Sequence, residues 1–234
     1  MGARGAAAAA LERPGGLREL FEGMAARHNQ TLTSQRPLLL ELEGFLDEAQ
    51  AAALVELADR TVRPEWEDDG LPPEVRNVSK MDCEEASCKL NAVVLAMYRK
   101  VEALVQLPAS NFESLELLRY EPGNHYEVHM DNGPDDSAHP AGPRLLTAFV
   151  YLTDAPAGAG GATIFPRAKP RELRVVPRRG KLVIWANMAD RAPWREDSSA
   201  EHVAERVLAG VKYGFNLWIH PRNYRLPNMA QHCL

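Results

Sequence analysis

Four side chains in the C-terminal half of the chain combine the chemistry of metal binding with that of anion binding. His129 and Asp131 are separated by one residue, His202 follows later in the chain, and Lys212 lies ten residues beyond His202. Two imidazoles and one carboxylate can occupy one face of a metal ion and leave the other face open, a pattern typical of non-haem Fe(II) sites. A lysine beside such a site would hold an acidic ligand.

The pairing of His129 with Asp131 agrees with a strand, because side chains two residues apart point to the same face. A His-x-Asp pair alone is weak evidence, since it more often forms a solvated surface pair. Four other histidines compete for the third ligand position: His125, His139, His220 and His232. The downstream cation favours His202, because the residue ten positions after it is Lys212, whereas Ala230 stands ten positions after His220.

The elements that must position these residues change character near residue 114. Before it, apolar spacing predicts three helices and one strand, and Asp47 can cap the second helix. Their ranges are 17–27, 48–60 and 89–107 for the helices and 38–46 for the strand. After residue 114, short apolar runs alternate with glycine and proline turns and predict eight strands. These are 115–120, 126–129, 145–152, 163–165, 171–176, 182–185, 207–208 and 213–219.

Eight short strands at this spacing indicate an antiparallel barrel or a double-stranded β-helix (jelly roll). The predicted fold class is therefore α+β with a mostly β core, flanked by N-terminal helices that cover one sheet. We expect a disordered segment at 1–16, a helical support region at 17–110, the jelly-roll core at 111–225 and a tail at 226–234. Apolar walls that exclude water from the site are predicted from five strand residues: Leu118, Leu146, Phe149, Ile164 and Val183.

Composition limits the partners and the compartment. A net charge of −5 over 234 residues disfavours nucleic acid as a partner, and the basic stretch 166–179 is interpreted as a solvated hairpin. No apolar run is long enough to predict a membrane span. The alanine tract at 6–10 is too short for a signal-peptide core, so we expect a cytoplasmic protein if the chain is complete and leave the endoplasmic reticulum open if it is truncated. The oligomeric state stays open.

The three cysteines do not form a disulfide framework. Cys83 and Cys88 are close enough in sequence to pair in an oxidising compartment, but free thiols are the favoured interpretation.

Four segments in the C-terminal half follow one another in a specific order. They are LRYEPGNHYEVHMD (118–131), GGATIFP (160–166), GKLVIW (180–185) and HVAERVLAGVK (202–212), the last continuing to Trp218 and His220. In this order they resemble the motifs of prolyl 4-hydroxylases in the 2-oxoglutarate/Fe(II) dioxygenase superfamily. The resemblance covers about residues 114–222. The N-terminal half matches only in outline.

The resemblance implies a role for nine residues. It implies that His129, Asp131 and His202 are iron ligands, and that Lys212 pairs with the distal carboxylate of 2-oxoglutarate. The other five implied positions are Tyr120 and Thr163 beside that carboxylate, Trp218 lining the co-substrate pocket, and Tyr126 with Arg144 near a peptide substrate.

Several of these roles have ordinary alternatives: Tyr120 could be a plain core aromatic, and Thr163 an unremarkable strand residue. A core aromatic is the favoured interpretation of Trp218, and Arg144 is about as well explained as a charge at a strand end. Tyr126 lies three residues before His129, so it reaches the same face only if the strand contains a bulge.

The function that the resemblance implies is hydroxylation of an unactivated C–H bond, most closely that of a prolyl residue in a peptide or protein. The implied cofactors are Fe(II), 2-oxoglutarate as co-substrate and L-ascorbate as reductant. Departures from the family pattern surround the substrate entrance: Arg206 replaces a common proline, the loop 190–201 is long and charged, and 132–136 lacks a common aromatic residue. A same-fold oxygenase with a small-molecule or non-prolyl substrate, oxidative nucleic-acid demethylation, and a non-catalytic peptide- or metal-binding barrel are the alternatives.

Overall fold

Two β-sheets form the body of the protein, and helices pack on the outer face of the larger sheet. The computed structural model describes residues 10–61, 72–133 and 139–225. The helices are α1 (Gly16–Arg27), α2 (Glu48–Thr61), α3 (Ala86–Lys89) and α4 (Ala92–Val105). The first seven strands are β1 (Ser34–Gln35), β2 (Leu38–Leu42), β3 (Ser79–Asp82), β4 (Glu116–Tyr120), β5 (Tyr126–His129), β6 (Leu146–Tyr151) and β7 (Thr163–Phe165). The other six are β8 (Leu173–Val175), β9 (Leu182–Ala186), β10 (Met188–Ala189), β11 (Ala192–Glu196), β12 (His202–Ala204) and β13 (Lys212–Ile219).

The larger sheet has the strand order β1-β2-β9-β6-β13-β4-β3, and the smaller has the order β5-β12-β7-β8. All the strand pairs in both sheets are antiparallel. Strands β10 and β11 form a separate hairpin. The α+β class with a mostly β core is therefore confirmed. Strands from residues 34–42 and 79–82 join the larger sheet, so the N-terminal half supplies part of the sheet as well as the helices.

Alternation along the central strands divides the buried residues into two cores. Leu146, Ala148 and Val150 of β6 pack with the helices in the first core. Phe149 and Tyr151 of the same strand face the smaller sheet in the second core. The second core therefore lies between the sheets, where a site could be enclosed.

The predicted apolar walls are only partly correct. Leu118, Phe149 and Val183 belong to the core between the sheets. The prediction was wrong for Leu146, which faces the helices, because its position in β6 has the opposite parity. Ile164 is only half-buried in β7.

The helices begin and end where their caps require. The Gln50 N–H donates to Asp47 Oδ1 at 2.8 Å, which confirms Asp47 as the cap of α2. The single helix predicted over 89–107 was wrong: Asn91 accepts a bond from the Val93 N–H at 3.0 Å, so α4 starts there and α3 is separate. Gln106, with φ 57°, then ends α4.

The strands also depart from the prediction in places. Strand β2 ends at Leu42 rather than at 46, because a turn with Gly44 at φ 62° follows. Residues 207–208 form no strand, and Val207 makes only an isolated bridge with Gly160. Strands β1, β3, β10, β11 and β12 were not predicted. Of these, β1 and β10 have only two residues each, which is too few for a periodic signal.

Cys83 and Cys88 form a disulfide, so the interpretation of both as free thiols was wrong. Cys83 follows β3 and Cys88 lies in α3, and the turn between them brings their Cα atoms to 5.3 Å. That separation lies within the range that a disulfide spans. Both side chains are buried in the first core, the one that packs with the helices and is called the helix-side core below.

The predicted terminal segments lie mostly outside the described residues, namely 1–9 and 226–234. Within 10–16, Leu11 is buried and Gly15 donates a backbone bond to Asp190. The domain boundaries at 17–110 and 111–225 stay a prediction. Among the described residues, none of the helices has the length and apolar character needed to cross a bilayer.

Candidate metal centre and anion pocket

Pairing of β5 with β12 brings the two candidate histidine ligands, His129 and His202, together. His129 lies opposite His202 in the register of these strands, and their ring centroids are 4.2 Å apart. Asp131 lies two residues after the end of β5, and its Oδ1 lies 3.8 Å from His202 Nε2. One ligand atom from each residue lies within 4.8 Å of the others, so the three can share one ion.

Backbone contacts orient both imidazoles for coordination. His129 Nδ1 lies 2.7 Å from the Glu127 carbonyl, and His202 Nδ1 lies 3.1 Å from the Ala200 carbonyl. Because a carbonyl oxygen only accepts hydrogen bonds, each Nδ1 carries the proton and donates. In the neutral ring, each Nε2 then presents a lone pair, which is the form that binds metals.

The ionisation states also fit a metal. Burial, helped by the neighbouring His202, lowers the pKa of His129 to about 3, which keeps the ring neutral at pH 7. Burial by itself raises the pKa of Asp131, but His202, His129 and a bond from Thr147 outweigh it and hold the pKa below its ordinary value. Neutral imidazole and ionised carboxylate are the metal-binding forms of these groups.

Lys212 enters the same cavity from the larger sheet. It lies opposite Tyr120 in the register of β13 and β4, and it is only 4% exposed. Its Nζ lies 4.5 Å from the ring centroid of Tyr120, 5.2 Å from that of Phe149 and 5.5 Å from that of Tyr151. No carboxylate of the described residues lies within ion-pair distance of it. Burial consequently lowers the pKa of Lys212 to about 7, although the more distant Glu205 acts to raise it.

Thr163 lines the same cavity as Lys212 and is linked to Tyr151, which sequence reasoning did not identify. Its Oγ1 lies 2.7 Å from the Tyr151 hydroxyl, which itself donates to the Val175 carbonyl at 3.2 Å. Because the Tyr151 hydroxyl proton is donated to the Val175 carbonyl, the Thr163 hydroxyl must be the donor in its bond with Tyr151. The Thr163 hydroxyl is therefore held in place before any ligand arrives.

Arg144 lies just before β6, is half-buried and lines the same cavity. Its guanidinium makes two bonds to the Glu113 carboxylate, at 2.5 and 2.9 Å, and donates to the Asp131 carbonyl at 2.8 Å. It also covers the Trp218 ring, 3.8 Å from the centroid. His220 Nε2 lies 2.9 Å from the same Glu113. Burial of Glu113 would raise its pKa, but His220 and Arg144 lower it to about 2, so the carboxylate stays charged.

A bulge brings Tyr126 into the site. His202 pairs with His129 and Ala204 with Tyr126, so the register shifts by one residue between the two pairs. The bulge allows the rings of Tyr126 and His129 to stack, with centroids 3.5 Å apart. The Arg76 guanidinium lies over the Tyr126 ring, 4.8 Å from its centroid.

All nine residues singled out in the sequence line one cavity of ≈ 110 Å³. Trp218 is half-buried at this cavity, so the interpretation as a plain core aromatic was wrong. Sequence reasoning missed five other lining residues: Arg76, Met130, Trp185, Ala204 and Asn216. Trp185 lay in a quoted motif, but no spacing rule marked it. His125, His139 and His220 lie outside the cavity lining, and His232 lies outside the described residues.

Comparison with known proteins finds a family model that matches part of the chain. Residues 115–220 match the model of the 2OG-Fe(II) oxygenase superfamily. Over 194 residues the chain is 28% identical to human prolyl 4-hydroxylase subunit alpha-1, a match that covers 80% of this chain and 35% of that protein. The chain thus spans about a third of the length of this relative.

Two solved structures share the fold. The viral collagen prolyl hydroxylase of Paramecium Bursaria Chlorella virus-1, solved as a 2OG complex, has a TM-score of 0.59 and 23% identity, covering 78% of this chain and 94% of that one. A prolyl hydroxylase from Trichoplax adhaerens, in complex with a hypoxia inducible factor peptide, has a TM-score of 0.61 and 15% identity. The match covers 88% of this chain and 92% of that one. The family model and the curated relative confirm the resemblance inferred from the sequence, and the two solved structures confirm a shared fold.

Proposed function

We propose that this chain is a 2-oxoglutarate- and Fe(II)-dependent dioxygenase that hydroxylates a prolyl residue of a peptide or protein. One observation carries the proposal: three metal-binding groups and a buried lysine without a carboxylate partner among the described residues line the same cavity. A buried ammonium group is costly unless an anion accompanies it. A metal centre beside such a cation is suited to a chelating acid with a second, distant carboxylate.

His129, Asp131 and His202 are the proposed iron ligands, through the Nε2 atoms and one carboxylate oxygen. When bound, Fe(II) would couple reduction of dioxygen to decarboxylation of 2-oxoglutarate, so that one oxygen atom enters succinate and the other the substrate. The protein's part is to hold the imidazoles in one tautomer and to leave the other side of the centre open. The carbonyls of Glu127 and Ala200 support this part.

Lys212 is the proposed anchor for the distal carboxylate of 2-oxoglutarate. A hydrogen bond to a charged group in such a site contributes about 1.5–3 kcal/mol. The aromatic rings around Nζ restrict it to the cavity. The hydroxyl groups of Tyr120 and Thr163 are proposed to donate hydrogen bonds to the same carboxylate. For Thr163 this requires its proton to turn away from Tyr151. Trp218 is proposed to form an apolar side of the pocket.

Tyr126 and Arg144 are proposed to face the peptide. Tyr126 is fixed by its stack on His129, and Arg144 by its two bonds to Glu113. Both therefore present fixed groups to the cavity that they line. The peptide complex of the Trichoplax protein supports a peptide as the substrate class. L-ascorbate is proposed as the reductant that restores Fe(II) after unproductive turnovers.

The proposed architecture is a double-stranded β-helix over about residues 111–225. The antiparallel pairing in both sheets and the apolar core between them support it. Residues 17–110 are proposed to support this core through α1, α2 and α4, whose buried faces pack in the helix-side core.

The test is succinate release from 2-oxoglutarate in the presence of Fe(II) and proline-rich peptides, with mass spectrometry for the gain of one oxygen. Activity should need Fe(II) and should be lost in His129→Ala, Asp131→Ala and His202→Ala. His28→Ala, an exposed histidine of the helical layer, is the control and should retain activity. Metal-independent turnover, or full activity in the three cavity variants, would reject the proposal. Hydroxylation of other acceptors alone would exclude the prolyl substrate.

A further inference from the structure

A buried polar chain leads from Asn187 through Thr147 to the metal-binding Asp131. Asn187 Nδ2 donates to Thr147 Oγ1 at 2.9 Å, and Thr147 Oγ1 donates to Asp131 Oδ2 at 2.5 Å. Asn187 and Thr147 have no exposed surface, although both are polar residues. The two bonds join three separate segments of the chain. Asp131 lies just after β5, Thr147 in β6 and Asn187 just after β9.

The direction of this chain follows from the donors present. An amide nitrogen can only donate, so Asn187 occupies an acceptor position of the Thr147 hydroxyl. The single hydroxyl proton is then directed at Asp131, whose ionised carboxylate only accepts. The assignment of the Asn187 amide is supported by its second bond, from Nδ2 to the Arg144 carbonyl at 3.2 Å, because the carbonyl requires a donor there.

The two oxygens of Asp131 consequently have different surroundings. Oδ2 is taken by Thr147, while Oδ1 is the oxygen that faces His202 Nε2, at 3.8 Å. We propose that the Asn187–Thr147 chain is a positioning device that holds Oδ2 away from the metal and presents Oδ1 alone as a single-oxygen ligand. This inference rests on the proposed metal centre and names Thr147 and Asn187 as positioning residues for it.

The physical consequence concerns coordination number. A carboxylate that is free to rotate about its Cβ–Cγ bond can bind a metal through both oxygens and occupy an additional position. Holding Oδ2 keeps Asp131 to one position, which leaves more of the open face for a two-point chelating ligand. Because the Thr147 hydroxyl is itself held by Asn187, the carboxylate is pre-oriented before the metal arrives. Contacts of this kind to metal ligands typically change metal affinity by about 10–100-fold.

The experiment measures metal affinity directly, by calorimetric titration of the metal-free protein with Mn(II). Thr147→Val keeps the shape of the side chain and removes the hydroxyl, and it should raise the Mn(II) Kd by about 10–100-fold. Thr147→Ser restores the hydroxyl and should recover most of the affinity. Tyr213→Phe is a matched control, because the Tyr213 hydroxyl donates to Asp59 at the same distance, 2.5 Å, on the helix side of the sheet. Its Kd should equal that of the wild type.

A second measurement separates positioning from a purely structural role. Denaturant unfolding of each metal-free variant reports its loss of stability, and a structural role alone would lower stability without changing the Kd. Asn187→Leu should weaken Mn(II) binding less than Thr147→Val does. The double variant should bind Mn(II) about as weakly as Thr147→Val alone, since the two residues act in series. Fully additive effects, or an unchanged Kd in Thr147→Val, would overturn the inference. If the wild-type protein binds no Mn(II), the proposed metal centre itself is refuted, and not only the role of the Asn187–Thr147 chain.

Discussion

Replacing Lys212 with methionine should stabilise the ligand-free protein and at the same time remove its response to 2-oxoglutarate. The side chain is 4% exposed and has no carboxylate of the described residues within ion-pair distance. Methionine has a similar length and carries no charge, so it fits the same apolar surroundings without the desolvation cost of an ammonium group.

The size of the expected stabilisation follows from the shift of the Lys212 pKa. Burial moves the pKa of Lys212 from 10.5 to about 7, which corresponds to about 5 kcal/mol, since each tenfold change in the equilibrium is about 1.36 kcal/mol. Between these values the unfolded chain binds more protons than the folded one, so stability rises with pH from about 7 to 10.5. Below pH 7 the destabilisation is fully present. Lys212→Met should therefore be more stable than the wild type by up to about 5 kcal/mol at pH 6, with the difference shrinking as the pH rises toward 10.

The assay is urea unfolding of the metal-free protein at pH 6 to 10, repeated with Mn(II) and 2-oxoglutarate. Wild type should gain stability from 2-oxoglutarate by mass action, and Lys212→Met should not. Lys181→Met is the matched control, because Lys181 is equally buried but lies 3.0 Å from both Glu41 and Glu43. Removing a paired lysine leaves the carboxylates uncompensated and should destabilise the protein. A Lys212→Met protein that is less stable than wild type at pH 6, or that still responds to 2-oxoglutarate, would refute the reasoning.

Three further results are expected. Glu113→Gln should lower the free energy of unfolding by about 3 kcal/mol at pH 7, because the fold lowers the pKa of Glu113 from 4.5 to about 2. This stabilisation is present above pH 4.5 and is lost as the pH falls toward 2, so the unfolding curves of variant and wild type should converge in acid. Thiol titration of the denatured, non-reduced chain should find one free thiol, and reduction of the Cys83–Cys88 bond should lower the unfolding free energy by about 2 kcal/mol for so short a loop; three thiols would contradict the disulfide. Mn(II) at a hundred times its Kd should raise the unfolding free energy by about 2.7 kcal/mol, and an equal gain in His202→Ala would argue against that residue as a ligand.

The candidate site was more predictable than its surroundings. Metal-binding groups are chemically distinctive, so His129, Asp131, His202 and Lys212 could be grouped by residue type and order before their positions were known. The need for a bulge near Tyr126 was also predictable, because strand parity excludes it otherwise, and the register of β5 against β12 contains that shift.

Other features needed the folded chain. Arg144 could be a surface charge or a wall of the site, and only its bonds to Glu113 and Asp131 decide between them. Cys83 and Cys88 required the turn into α3 before pairing was geometrically possible. Arg76 is distant in sequence from every motif and reaches the cavity because its segment forms a bridge with Tyr126.

The sequence by itself therefore determined the kind of chemistry: which groups can bind a metal, which cation can bind an acid, and the alternating pattern of a β-rich core. Residue type and local spacing carry that information. The tertiary structure decided which oxygen of Asp131 faces His202, which face of each strand is enclosed, and how deeply Lys212 is buried. These properties depend on the register between strands far apart in the chain, and no local pattern records that register.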